Sequence, residues 1–376
     1  MRHICYITGT RADFGLITST LRLIQADPRF KLSIVVTGMH LAPEFGLTVR
    51  EIEAEGFEIL GHVPCEVANA DGAQMARNIG VMLQGFTDLL LLNRPDIVLL
   101  LGDRGEMLAG ALAGVHLGIP VVHIHGGERS GTVDEPVRHA ISKLSHLHLT
   151  ATAAARERLI RMGEQPELIT VVGAPGLDGL DAFAGRSRDE LCNQEGLDAA
   201  RRLALLVFHP VLQEADCAGA QIRLIAQQLL DSDYQVLALM PNADSGSLDV
   251  RMALQEFADI GNFVIKTHLP RQEFVAWMAI VDLMIGNSSS GIIEAASFGT
   301  PVINLGTRQN MRERNSNVLD VPVEAGALRV ALSSVPMRLA SPYQNVYGDG
   351  KAGEKIVHYL AGVSLTQGLL NKCNAY

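Results

Sequence analysis

The chain holds 376 residues, 48% hydrophobic and 19% charged, more than one compact domain usually contains and typical of a globular α/β enzyme. A net charge of −10 without a dense Lys/Arg run argues against a nucleic-acid partner, leaving only a local basic pocket for a small phosphorylated ligand. Five scattered cysteines, none in C-x-x-C spacing, give no disulfide framework or zinc knuckle and fit a reduced cytoplasmic setting.

The N-terminal MRHICYITGT starts with a strand-like run, too short and too β-branched for a signal peptide. Candidate strands follow at His3–Thr8, Leu32–Thr37, Ile97–Leu101, Val121–Ile124, Leu147–Thr150 and Ile169–Val172. Helical patterns lie between them at Gly15–Ala26, Thr48–Glu55, Ala73–Leu92, Glu106–His116, Glu135–Leu144 and Ala153–Met162. The most apolar stretch, Leu89–Leu101, is broken by Asn93-Arg94-Pro95-Asp96 and cannot span a bilayer, so no membrane partner is expected. Near-continuous apolar runs alternating with helices predict parallel strands in right-handed βαβ units.

Gly173–Arg188, rich in glycine and charge, reads as a linker. A second βα series has strands at Leu203–Phe208, Gln235–Leu239, Phe263–Lys266, Leu283–Ile285 and Val302–Leu305. The fold class is therefore α/β, with two Rossmann-like doubly wound domains facing across a cleft. The boundaries are 1–175, 176–350 and a helical tail 351–376 that could pack back on the first domain. Ligands of such sheets sit beyond the C-terminal strand ends, so the polar residues there carry the functional reading.

Gly286-Asn287-Ser288-Ser289-Ser290-Gly291 joins a strand to a helix, and its small residues let backbone N–H groups approach an anion. Glu294 falls in the first helical turn, where it could take ribose hydroxyls or simply favour the helix start. In Thr8–Gly15 the G-x-G-x-x-G dinucleotide fingerprint is absent; Arg11 could reach a pyrophosphate or pair with Asp13. Arg308, Arg312 and Arg314 follow another strand and could neutralise a diphosphate without a metal, or form a solvated basic loop.

At three successive strand ends the first domain carries Asp103 and Arg104, then His123, His125 and Glu128, then Asp134 with Arg138. Crowded carboxylates shift one another's proton affinity, which supplies an acid and a base at one pH. Asp134 and Arg138 alone could be a plain i,i+4 pair. His209 ends the first strand of the second domain, and Asn242 and Asp244 follow its second. Histidine spacing suits no single metal ion, so neither metal nor cofactor is expected.

Taken together, GTRADFG, VTGMH, LGDRGE, HIHGGERSGTVDEPVRHAISKLSH, FHP, PNADSGS, GNSSSGIIEAASFGTPVINLGTRQ and NVLDVPVE resemble the hydrolysing UDP-N-acetylglucosamine 2-epimerases over residues 1–360. The resemblance implies a GT-B-like fold closing on UDP, and a homodimer or homotetramer. It implies loss of the C2 proton, departure of UDP to leave a glycal, and hydration to free N-acetylmannosamine for sialic acid synthesis. Asp103 and Asp134 match acid/base positions, and His209 a position near the diphosphate. Arg11, Asn242, Ser288, Ser289 and Glu294 match UDP-contacting positions, joined by Arg104, Asp244, Ser290, Gly291 and Arg308.

One departure stands out. Some relatives carry a catalytic glutamate at the third residue of HIHGG, where this chain has His125. Either His125 takes over acid/base duty or Glu128 supplies the carboxylate. UDP-GlcNAc is the first-choice substrate, ahead of the UDP-2,4-diacetamido-2,4,6-trideoxyglucose used toward legionaminic acid. A GT-B glycosyltransferase, a non-hydrolysing 2-epimerase and a catalytically dead UDP-sugar sensor are the rival functions.

Overall fold

A computed structural model of the chain describes residues 1–68, 71–130, 134–242, 244–336, 338–339 and 342–376. Gly131-Thr132-Val133 of the GGERSGTVDE string and Ala243 of PNADSGS lie outside the described residues. One compact unit holds Met1–Arg129, the chain from Asp134 to Asp178, and Tyr347–Tyr376; the other holds Gly179–Val346.

The first unit begins β1 (Arg2–Thr8), α1 (Arg11–Ala26), β2 (Phe30–Thr37), α2 (Val49–Ala54), β3 (Ile59–Val63) and α3 (Gly72–Leu92). It continues with β4 (Ile97–Leu101), α4 (Gly105–His116), β5 (Val121–Ile124), α5 (Asp134–Leu144), β6 (Leu147–Thr150), α6 (Ala153–Arg161) and β7 (Ile169–Val171). Its seven-stranded sheet has the order β3-β2-β1-β4-β5-β6-β7, with every pairing parallel. The strand residues alternate between two cores: Ile4 and Tyr6 face one, while Cys5 and Ile7 face the other. Burial on both faces is why the strands read as continuous apolar runs.

The second unit runs α7 (Leu180–Phe183), α8 (Arg188–Glu195), β8 (Leu203–Val207), α9 (Ala218–Asp231), β9 (Gln235–Leu239), α10 (Ser247–Gln255) and β10 (Phe263–Lys266). It ends with α11 (Arg271–Ile280), β11 (Leu283–Gly286), α12 (Ser289–Ile293), β12 (Val302–Leu305), β13 (Val318–Val321) and α13 (Ala325–Ser333). Its six strands are also all parallel, in the order β10-β9-β8-β11-β12-β13. In each sheet the winding reverses once, between β1 and β4 and between β8 and β11. Those two reversals open crevices where doubly wound sheets bind ligands.

The chain after 346 returns to the first unit, where α14 (Ala352–Gly362) packs on α1 and buries Ile356 and Leu360; α15 (Gln367–Leu370) follows. The Asp178 carboxylate accepts N–H bonds from Ala352 and Gly353, capping α14 at its start.

Three sequence expectations need correction. β3 and β13 were not expected, since both are sheet-edge strands whose apolar run is interrupted by Gly61-His62 or Asp320. α1 begins at Arg11 rather than Gly15, because Thr10 and Asp13 form a reciprocal capping box. The stretch expected as a linker carries a 3-10 turn at Pro175–Leu177 and α7, with the units parting between Asp178 and Gly179.

Candidate active site

In the first unit, residues after β1 and β4 flank the switch crevice. Asp13 is buried and accepts from the Thr8 and Thr10 hydroxyls (both 2.7 Å), the Tyr6 hydroxyl (3.0 Å) and the Thr10 N–H (2.7 Å). Burial raises its carboxyl's proton affinity despite these donors. Asp13, the carboxylate expected to pair with Arg11, is therefore occupied elsewhere. Arg11 sits at the first position of α1, and its Nε donates to Glu51 on α2 at 2.9 Å.

Asp103 follows β4, and Arg104 caps α4 with its Nε 3.4 Å from Glu106 Oε1. Gly102 is held by His123 on β5, whose Nε2 donates to the Gly102 carbonyl at 2.7 Å. That fixes Nδ1 as the acceptor from the Ser142 hydroxyl (3.0 Å), and burial lowers the ring's pKa to about 3. His123 is thus a neutral strut under Asp103.

The other anchor is Arg138 on α5, 1% exposed. Its guanidinium donates to the Asp103 carboxylate and, at 3.1 Å, to the Glu128 carbonyl. Sequence reasoning took Arg138 for a helix neighbour of Asp134 and missed this role. The available signal was its place on the helix face that also buries Ile141 and Ser142. Asp134 stands at the first position of α5. His125 and Glu128 are both buried, and His125 Nδ1 lies 2.5 Å from Glu128 Oε1. The first unit therefore gathers Asp103, Arg138, Glu128 and His125 into one cluster, with Asp134 heading the helix that carries Arg138.

In the second unit the crevice lies between β8 and β11. Gly286 has φ +133°, and a Cβ there would lie 2.0 Å from the Val207 carbonyl oxygen, so the close approach of β8 and β11 requires glycine. Asn287, expected only as one of the small residues of this turn, ties the two strand ends together. Its Oδ1 accepts from the His209 N–H and its Nδ2 donates to the His209 carbonyl, both at 2.7 Å. His209 Nδ1 accepts from the Asn242 N–H at 3.3 Å.

Ser288 caps α12, accepting from the Ser290 N–H at 3.3 Å; Ser289, Ser290 and Gly291 form its first turn. Arg308 reaches the same turn, donating to the Asn287 carbonyl at 3.2 Å. Asp244 lies at the bend before α10. Arg314 instead pairs with Asp320 at 2.9 Å, away from the serine turn. Glu294 is not in a first helical turn: α12 is only five residues long and Glu294 is its C-cap. It is 1% exposed and bound by Arg271 Nη1 at 2.6 Å, a partner the sequence did not suggest. Among the described residues, no three His, Cys, Asp or Glu side chains gather as a metal site.

Residues 22–361 match the family model described as UDP-N-acetylglucosamine 2-epimerase. The chain is 50% identical over 376 residues, all of both chains, to the UDP-N,N'-diacetylbacillosamine 2-epimerase (hydrolyzing) of Legionella pneumophila. It is 34% identical over 324 residues, 86% of this chain and 85% of the other, to the UDP-N-acetylglucosamine 2-epimerase of Neisseria meningitidis serogroup B. Its fold is shared with a crystal structure of UDP-GlcNAc 2-epimerase from Neisseria meningitidis bound to UDP-GlcNAc, at TM-score 0.80 and 19% identity, covering 96% of this chain and 99% of that one. The chain belongs to the UDP-N-acetylglucosamine 2-epimerase family and is an enzyme of its hydrolysing type.

Proposed function

We propose that this enzyme converts UDP-N,N'-diacetylbacillosamine, the UDP-2,4-diacetamido-2,4,6-trideoxyglucose, to UDP and the free 2-epimer. One observation carries the choice of sugar. Identity is 50% along the whole of a relative named for that substrate, against 34% over a shorter span for one named for UDP-N-acetylglucosamine. The order of preference drawn from the sequence alone is thereby reversed.

The reaction begins when a base takes the C2 proton. The C–H electrons form the C1=C2 bond, and the C1–O pair leaves with UDP, whose diphosphate needs no proton at neutral pH. Water then adds to the glycal: its oxygen bonds C1, and C2 receives a proton on the opposite face, giving the epimer. Asp103 and Asp134 are assigned to the two proton transfers at C2, with His125 and Glu128 beside them. Arg138 supports this assignment by bonding the Asp103 carboxylate, and His123 by holding the carbonyl of the preceding Gly102. A preset carboxylate is what abstraction of a weakly acidic C–H requires.

The UDP moiety is assigned to the second unit. The Ser288–Gly291 turn and Arg308 take the diphosphate, His209 and Asn242 stand by the leaving oxygen, and Glu294 and Asp244 take ribose hydroxyls. The resemblance also assigns Arg11 and Arg104 to UDP contact, which requires Arg11 to leave Glu51 when substrate binds. A competition assay tests the sugar. With equal UDP-N,N'-diacetylbacillosamine and UDP-GlcNAc, the first should be consumed with kcat/KM at least about 10-fold higher, the discrimination expected of differences at C4 and C6. Preference for UDP-GlcNAc would return the enzyme to the sialic acid branch.

A further inference from the structure

The reaction just described moves three protons: one off C2, one onto C2 and one off the adding water. Two carboxylates account for the first two, so the water lacks a base. This inference rests on that hydrolysing reading and extends it to a residue.

His125 follows β5 with φ +66°, a left-handed conformation uncommon for a residue with a Cβ. Its N–H is held by the Leu149 carbonyl at 3.1 Å. The chain then turns through Gly127, whose φ is +76° and where a Cβ would lie 2.3 Å from the Ala155 carbonyl oxygen. Arg158 grips the Gly127 carbonyl and Arg138 the Glu128 carbonyl. The turn is thus pinned from α6 and α5, and it folds the Glu128 carboxylate back onto His125 Nδ1 at 2.5 Å.

A carboxylate against Nδ1 holds that nitrogen's proton and leaves the Nε2 lone pair as the basic site. Nδ1 is occupied; Nε2 carries no hydrogen bond among the described residues and is not among the sealed, unpartnered atoms. The side chain keeps 9% of its surface exposed, enough for one edge to meet solvent. His123, two residues earlier, has both ring nitrogens committed and cannot serve.

We infer that His125 is the catalytic base of the hydration half-reaction, and that Glu128 is the residue that sets its tautomer. Nε2 takes a proton from water as the water oxygen bonds C1, while a carboxylic acid delivers a proton to C2. The imidazolium is stabilised by Glu128 until it returns its proton to solvent.

Single turnover of UDP-N,N'-diacetylbacillosamine with excess enzyme, quenched and resolved into UDP, glycal and free sugar, tests this. His125→Gln should still cleave the C1–O bond, accumulate glycal and form free epimer about 100-fold more slowly or worse. His125→Gly suits φ +66° and so guards against misfolding; added imidazole should restore free sugar from its glycal. Glu128→Gln should give the same partition more mildly. If UDP and free sugar fall in equal proportion in both His125 variants, with no glycal and no rescue by imidazole, the assignment is overturned. If the native enzyme releases no UDP from this sugar or from UDP-GlcNAc, the hydrolysing reading falls and takes the assignment with it.

Discussion

Arg138 shows what a single residue contributes to this site. A nearly buried guanidinium survives only with partners, and here Asp103 and the Glu128 carbonyl supply them. Arg138→Met, similar in bulk but uncharged, should lower kcat about 100-fold or more and stability on the order of 3 kcal/mol, because it removes Asp103's partner. Steady-state kinetics and urea titration measure the two; near-native turnover in a folded variant would show that Asp103 is oriented by something else. At this scale the kinds of site residue were legible, since Asp103, His125 and His209 all sit where an apolar run stops. Their partners were not. Arg11 bonds Glu51, Glu294 bonds Arg271 and Arg138 bonds Asp103, pairings that depend on which strands and helices become neighbours.

Among the elements, α5 joins the site to the end of the chain. Asp134 heads it, while its last turn is held by Lys372, which donates to the Ser142 and Ser145 carbonyls as a cation at a helix C-terminus should. Lys372 also lies 2.7 Å from Glu164 Oε2, which accepts from His148 Nε2 at 2.8 Å. Lys143 Nζ stands 2.7 Å from Oε1, a contact with poor hydrogen-bond angles. Burial by itself would raise the Glu164 pKa, but the His148 hydrogen bond and the adjacent Lys143 and Lys372 ammonium groups outweigh it and hold the group at about 2.

A carboxyl depressed from 4.5 contributes stability that is present above about pH 4.5 and is lost as the pH falls toward about 2. Glu164→Gln should therefore cost on the order of 3 kcal/mol at neutral pH and flatten the fall in stability through that window. Denaturation at a series of pH values measures it, and curves that stay parallel to the native enzyme's would exclude the role. Interior elements were readable from apolar period alone, and α1 could have been started correctly from its Thr10/Asp13 box. The edge strands β3 and β13 could not, because a strand covered on fewer sides shows a broken pattern.

For the whole molecule, the same winding occurs twice, and each unit offers its strand ends at one reversal. Alternating strands and helices announced two such units, but strand order is set by crossovers that no local pattern encodes. Family membership follows from strings spread along nearly the whole chain, while the choice of sugar needed relatives for comparison. Elimination and rehydration at C2 with loss of UDP are tested most directly by proton NMR of the enzyme with UDP-N,N'-diacetylbacillosamine in D2O. The expected products are free UDP and a free 2-epimer carrying deuterium at C2 in every molecule. Product that retains its C2 proton, or an epimerised sugar still joined to UDP, would contradict this reaction.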